Sequence, residues 1–209
     1  MVGEGGSDAM DFHALEALQC MVERRRGGET GVKAVQLLKG DAVWKAIDGG
    51  TISKDLLSSA LSRSDTPLGL TEKDGRTQDL LGDGVLPGLV KVPMAYLIQY
   101  RDGLRASMLM LDGAVRDFNF AARVRGTGIL STQFFLTPVP NVTYSACLVH
   151  KIEEMFTTGR APYPIERTLL TSGILESCLD SKKQNSVLLE TPALAVAYQA
   201  PAESQHCRV

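Results

Sequence analysis

No apolar run in the sequence approaches ~18 residues, so no membrane-spanning helix is expected. Charge of one sign is not in excess either. Lys and Arg number 22 against 24 Asp and Glu, a net charge of −2. That excludes a strong footprint for nucleic acid or an anionic membrane. Cysteine is sparse, at Cys20, Cys147, Cys178 and Cys207, with no CxxC pair. The spacing gives no disulfide scaffold and reads as free thiols in a reducing compartment. The three histidines, His13, His150 and His206, are scattered, so no clustered zinc ligands are expected. There is no Walker phosphate loop, no GxSxG elbow and no HExxH. The start, MVGEGGSDAM, carries neither a basic end nor an apolar core, so no secretory peptide is read and a cytoplasmic location is expected. Asn141-Val142-Thr143 is then a chance glycosylation match.

What is present is ordinary globular material: 209 residues, 44% apolar and 22% charged. That length buries enough surface for one domain without staples. Residues 11–25 read as a helix with Phe12, Leu15, Leu18 and Val22 on one stripe. A short strand follows at 31–38. Asp41 caps a helix towards Ile47, and Ser53 caps another through Leu61. Residues 63–91 lose the periodicity and read as a loop excursion. Strands are expected at 93–101, 104–111, 114–125 and 129–136. Asp102-Gly103 and Asp112-Gly113 stand between the first three as hairpin corners, because the favoured tight turn needs positive φ. Two such corners in series predict an antiparallel meander over about 93–137. Residues 144–158 place Leu148, Ile152, Met155 and Phe156 on one helix face. A last helix opens at Pro164, with Ile165, Leu169, Leu175 and Leu179 as its expected buried side. A final strand is read near 187–198.

The predicted class is α+β, a mainly antiparallel sheet with helices packed on one face. A single domain is expected over 11–199, between a disordered start (1–10) and a frayed tail (200–209). The other sheet face must then meet water or a partner, and a homo-oligomer through that face is expected. Gly3-Glu4-Gly5-Gly6 and Gly126-Thr127-Gly128 are too short for a dinucleotide fingerprint.

Several side chains can carry chemistry, and each has a plain structural reading beside it. His13 lies off the apolar stripe of its helix, with Glu16 at i+3 and Cys20 at i+7. The pair is either an acid–base couple or a surface contact. His150 and Glu154 make a similar i, i+4 pair. Arg24, Arg25 and Arg26 end a helix, where its dipole favours cations. Arg160 and Arg167 flank Pro162-Tyr163-Pro164. They either bind an anion at a helix start or pair with Glu153, Glu154 or Glu166.

Three stretches carry a family likeness. His13-Ala14-Leu15-Glu16 followed by a strand, MAYLIQYRDGLRASMLML at 94–111 and PIERTLLTSGILESCLDSKKQNSVLL at 164–189 resemble the C-terminal domain of the glucose–fructose oxidoreductase/inositol dehydrogenase family (Gfo/Idh/MocA). The resemblance implies a substrate-binding and oligomerisation domain of NAD(P)-dependent sugar or polyol oxidoreductases. His13 matches that family's active-site histidine, and Glu16 stands where an aspartate is usual. The acidic residue expected four positions before the histidine is replaced by Ala9. The family's Rossmann domain and its lysine-bearing EKP segment have no counterpart, since Glu72-Lys73-Asp74 is not that motif. The resemblance therefore implies a chain that is truncated or served by a separate nucleotide-binding partner. It would bind no NAD or NADP alone and would not be catalytically competent by itself. Catalytic-type residues would be His13 and Glu16, and substrate contacts Arg160 and Arg167. A non-catalytic dimeric module, or an enzyme using His13 and Glu16 without a cofactor, are the alternatives.

Overall fold

The computed structural model describes residues 1–6, 8–66, 78–135 and 142–203. Among them seven strands form one mixed sheet: β1 Val2–Gly3, β2 Val32–Lys39, β3 Met94–Tyr100, β4 Arg105–Met110, β5 Phe118–Val124, β6 Gly128–Phe134 and β7 Leu189–Glu190. Their order is β6-β5-β1-β4-β3-β2-β7, and every pairing is antiparallel except β1 with β4. Six helices are described: α1 Asp8–Val22, α2 Asp41–Asp48, α3 Lys54–Leu61, α4 Leu86–Leu89, α5 Val142–Thr158 and α6 Glu166–Lys183. The α+β class holds.

The corner at Asp102-Gly103 forms as expected. Gly103 takes φ 90°, the Asp102 carboxylate accepts from the Leu104 N–H at 3.1 Å, and β3 pairs with β4. The second corner does not join neighbours. β1 is wedged between β4 and β5, so Asp112-Gly113 leads across a strand instead of into a hairpin. The uninterrupted meander is thereby corrected, and β5 begins only at Phe118, after a turn in which Asp112 bridges to Val115. The wedge also corrects the disordered start: Val2 is buried and pairs with both Leu109 and Asn119. Close approach fixes Gly3, where an added Cβ would stand 2.5 Å from the Phe118 ring. The first glycines thus thread β1 past its neighbours.

Both sheet faces are covered over the centre, against the expectation of helices on one side. Alternation along each strand explains this, since both sets of side chains are apolar. Tyr96, Ile98, Met108 and Phe118 point to a core closed by α1 and α6. Ala95, Leu109 and Ala121 point to a second core closed by α2, α3 and the segment around α4. Ser53 caps α3, its hydroxyl accepting from the Leu56 N–H at 3.3 Å. The helix at 41–48 begins after Gly40 with no side-chain cap, and Asp41 lies in its first turn. Of the excursion at 63–91, the described part includes α4, and 67–77 lie outside the described residues. The expected strand at 187–198 reduces to β7 plus a bridge between Tyr198 and Glu29. The tail is described as far as Glu203.

The last helix is rotated from its expected face. Ile165 and Leu169 are 70% and 58% exposed, while Arg167, Leu170, Thr171, Ile174, Cys178 and Ser181 face inward. The polar members of that stripe are satisfied. The Thr171 hydroxyl donates to the Arg167 carbonyl, and the Ser181 hydroxyl donates to Val187 O and accepts from the Leu37 N–H.

α5 is unusual in the opposite sense. Leu148, Ile152, Met155 and Phe156 fall on one face, as the spacing predicts, and Val149 adjoins them, yet all five are exposed, from 37% at Met155 to 79% at Phe156. The less exposed residues, Cys147, Lys151 and Glu154, lie on the polar side. Among the described residues α5 makes only marginal contact with other elements.

Candidate functional site

α1 carries the residues expected to do chemistry. Asp11, Leu15, Leu18, Gln19, Val22 and Glu23 are buried, which turns His13, Glu16 and Cys20 towards the outer flank. His13 is exposed, its ring 6.4 Å from that of Phe12. Glu16 is half-buried. Burial raises its carboxyl above the usual range, with Arg167 and then His13 working against the shift. Burial likewise raises the Cys20 thiol, and the Arg167 charge opposes it only in part, so Cys20 is no activated thiolate. The expected couple therefore shares one flank with Arg167 close enough to act on it. His13 nevertheless stands open to water, unlike an enclosed acid–base site.

Arg167 is not paired with Glu153, Glu154 or Glu166. It is buried against Glu23, with Nε donating to Oε2 at 2.9 Å and Nη2 to Oε1 at 2.5 Å. The Tyr163 ring covers its guanidinium at 4.4 Å. Both arms of the fork are committed, so Arg167 can lend charge to the α1 flank but few free N–H groups. Arg160 is exposed at the loop before α6, and the two arginines do not converge on one ligand.

Behind this pair runs a buried polar chain. The Tyr198 hydroxyl donates to Glu23 Oε2 at 2.7 Å and accepts from Gln19 Nε2 at 2.8 Å. Gln19 also donates to Glu29 Oε2 at 2.6 Å and accepts from the Tyr100 hydroxyl at 3.0 Å. Glu29 accepts from both terminal nitrogens of Arg25 at 2.9 Å and from the N–H groups of Thr30 and Gly31 at 2.8 Å. Arg25 in turn donates to Asp102 and lies 4.7 Å over the Tyr100 ring. Partial burial works to raise the Asp102 carboxyl, but the Arg25 contact prevails and holds it below its ordinary range. Burial pushes both tyrosine hydroxyls well above theirs, with the Glu29 charge next for Tyr100 and the Glu23 hydrogen bond next for Tyr198. The network clamps the end of α1, the start of α6, the β3–β4 corner and the chain near Tyr198. Arg25 is thus a structural hub and not part of a solvated helix end.

A second buried carboxylate, Asp117, accepts from the Ser64 hydroxyl and Gln133 Nε2 at 2.9 Å and from Asn119 Nδ2 at 2.6 Å. Glu154 is held chiefly by an i, i+3 ion pair in which Lys151 Nζ meets it at 2.6 Å, with His150 at i−4 a weaker electrostatic neighbour.

Sequence reasoning misses Asp11, although it sits two residues before His13. It is buried in the first turns of α1, where it accepts from the Tyr96 hydroxyl at 2.6 Å and the Gly6 N–H at 3.0 Å. The signal that could have found it is a charged residue inside an apolar stripe. Asp11 and Glu23 both fall on the Leu15/Leu18/Val22 side of the helix, and a carboxylate there demands buried donors. Among the described residues no group of His, Cys, Asp and Glu could hold a metal ion, and no helix is long and apolar enough to cross a membrane. Comparison with protein-family models, curated proteins and solved structures finds no match for this chain.

Proposed function

We propose that the chain is an assembly and substrate-binding module, not catalytically competent alone, of the kind the Gfo/Idh/MocA resemblance implies. One observation carries the assembly half of this reading. α5 turns a continuous apolar face to solvent and makes only marginal contact with the other described elements, which a helix at the surface of a monomer would not do. A second copy of the chain is the occupant that fits. Five side chains presenting on the order of 100 Å² each give roughly 500 Å² per copy. A pair of α5 helices then buries about 1,000 Å², the least a specific interface needs. The sheet centre, covered on both faces, is not available for the expected sheet-mediated oligomer, which moves the proposed interface to α5.

The substrate half rests on the α1 flank. His13 and Glu16 share a helix side, with Arg167 acting on Glu16, and an open flank suits a site completed by another domain or chain. The same openness counts against an enzyme using this pair without a cofactor. A separate nucleotide-binding partner that brings NAD or NADP remains part of the proposal.

Light scattering tests the assembly reading. The wild-type chain should be dimeric at micromolar concentration, and Leu148→Glu/Phe156→Glu should be monomeric with an unchanged far-UV circular dichroism spectrum and a melting temperature that no longer rises with concentration. A wild-type monomer at high concentration would sink it. For the substrate reading, NADH fluorescence should be unaffected by micromolar chain alone. A shift would mean that this polypeptide carries its own cofactor site.

A further inference from the structure

The cleft between the C-terminal end of α1 and the β5–β6 hairpin is opposite in sign to the chain as a whole. Arg24, Arg25, Arg26, Arg123 and Arg125 line it and no carboxylate does, in a polypeptide of net charge −2. Its floor is apolar, with Val22 and Phe120 buried and Leu104 and Ala122 half-buried. Leu130 and Val124 remain 52% and 41% exposed on its wall. A volume of about 810 Å³ is that of a small-molecule site.

The five arginines are not equally committed. Arg25 belongs to the buried network, and its Nη1 also donates to the Val22 carbonyl at 2.9 Å, which meets the α1 helix end. Arg24 donates to the Pro201 carbonyl at 3.0 Å. Arg123 reaches Asp55 at 3.2 Å, but both are well exposed, and such pairs hold weakly. Arg26 and Arg125 have no acidic partner among the described residues. A helix dipole accounts for cations after α1. It does not account for Arg125, which reaches the rim from the turn after β5, nor for Arg123, whose chain passes the cleft while its guanidinium turns to Asp55 on the other sheet face.

We infer that this cleft binds a small amphiphilic anion, an apolar body bearing one carboxylate or phosphate. The body lies on Val22, Phe120 and Leu130. The head group meets Arg26 and Arg125, whose planar forks match two oxygens at once. The source is a ligand free in solution, because the Val22 and Phe120 floor is buried within the cleft and offers no protruding apolar face for a membrane. The inference stands independently of the assembly reading, since it uses no residue of α5.

Titration calorimetry on the full chain tests it with octyl phosphate, octanoate, octanol and inorganic phosphate. Octyl phosphate and octanoate should bind saturably, with octanol and inorganic phosphate weaker by about tenfold or more. Arg26→Gln/Arg125→Gln should weaken octyl phosphate by at least about tenfold, and Arg26→Lys/Arg125→Lys should recover part of that loss. Both sites are exposed, so the melting temperature should not move. Leu130→Asp should also weaken binding, whereas Leu148→Glu/Phe156→Glu should bind as the wild type does. Octanol binding as well as octyl phosphate would overturn the proposal. So would unchanged affinity in the glutamine variant, or binding to phosphatidylglycerol vesicles with none to the free ligands.

Discussion

Arg167→Met should lower the stability of the fold by about 3–5 kcal/mol. The side chain of Glu23 is fully buried and that of Arg167 is 4% exposed. Methionine fills much the same volume but supplies no charge and no donor. It leaves Glu23 with the Tyr198 hydroxyl as its one remaining partner in the network. A buried carboxylate stripped of its cation bears the desolvation cost without the compensating attraction. For a chain of this length the loss should read as a drop in melting temperature of roughly 6–20 °C. Glu23→Gln in the Arg167→Met background should restore a large part, because a neutral amide is far cheaper to bury and can still accept from Tyr198. Urea unfolding of the two single variants and the double variant gives the coupling directly. Additive losses would mean that Arg167 and Glu23 do not act as one unit.

This pair also marks where the sequence stops being legible. The two residues stand 144 positions apart, and nothing local to either names the other. The Asp102-Gly103 corner was readable because turn chemistry is local: one positive φ requires one glycine. The stripe on α1 was readable because Leu15, Leu18 and Val22 repeat at the helical period. β1 was invisible, since two residues have no period and their parallel pairing to Leu109 and Met110 is wholly non-local. That omission made Asp112-Gly113 look like a second hairpin. α6 misled for another reason. Apolar side chains occur on both of its sides, and the side that faces the core includes Arg167, Thr171 and Ser181, which only hydrogen bonds from other elements make tolerable. α5 is the converse, with its apolar face read correctly and its exposure hidden, because periodicity shows that a face needs covering without showing what covers it. His13 and Glu16 were legible as neighbours on one flank. Asp11 stays hidden and Arg25 reads only as one of three cations at a helix end, because their partners come from β3 and from the loops at Glu29 and Asp102.

In a chain prepared to begin at Met1, the second large effect comes from the free α-amino group of that residue. It donates to the Ser107 carbonyl at 3.0 Å, while the Met1 carbonyl accepts from the Leu109 N–H at 2.9 Å. The amine thus occupies a rung of the ladder between β1 and β4, and no carboxylate pairs with it among the described residues. Burial lowers its pKa from 8.0 to about 5. Folding therefore opposes protonation of this group. Above pH 8 both states are neutral there and no cost is incurred. Between pH 8 and pH 5 the unfolded chain gains a proton that the folded chain refuses, so stability falls as pH falls. Each tenfold loss of proton affinity on folding is worth about 1.4 kcal/mol, so the fall is on the order of 4 kcal/mol and complete near pH 5. Carboxylates held low by a partner, such as Asp102, act in a more acidic window, so the two effects separate along the pH axis. Urea unfolding at pH 8.5 and pH 5.5 should show the fall in the free-amine chain. Acetylating the amine keeps an N–H on the ladder and removes the charge, so the acetylated chain should lose far less over the same interval. Equal losses in the two forms would show that some other group titrates and that the amine escapes to water before it is protonated.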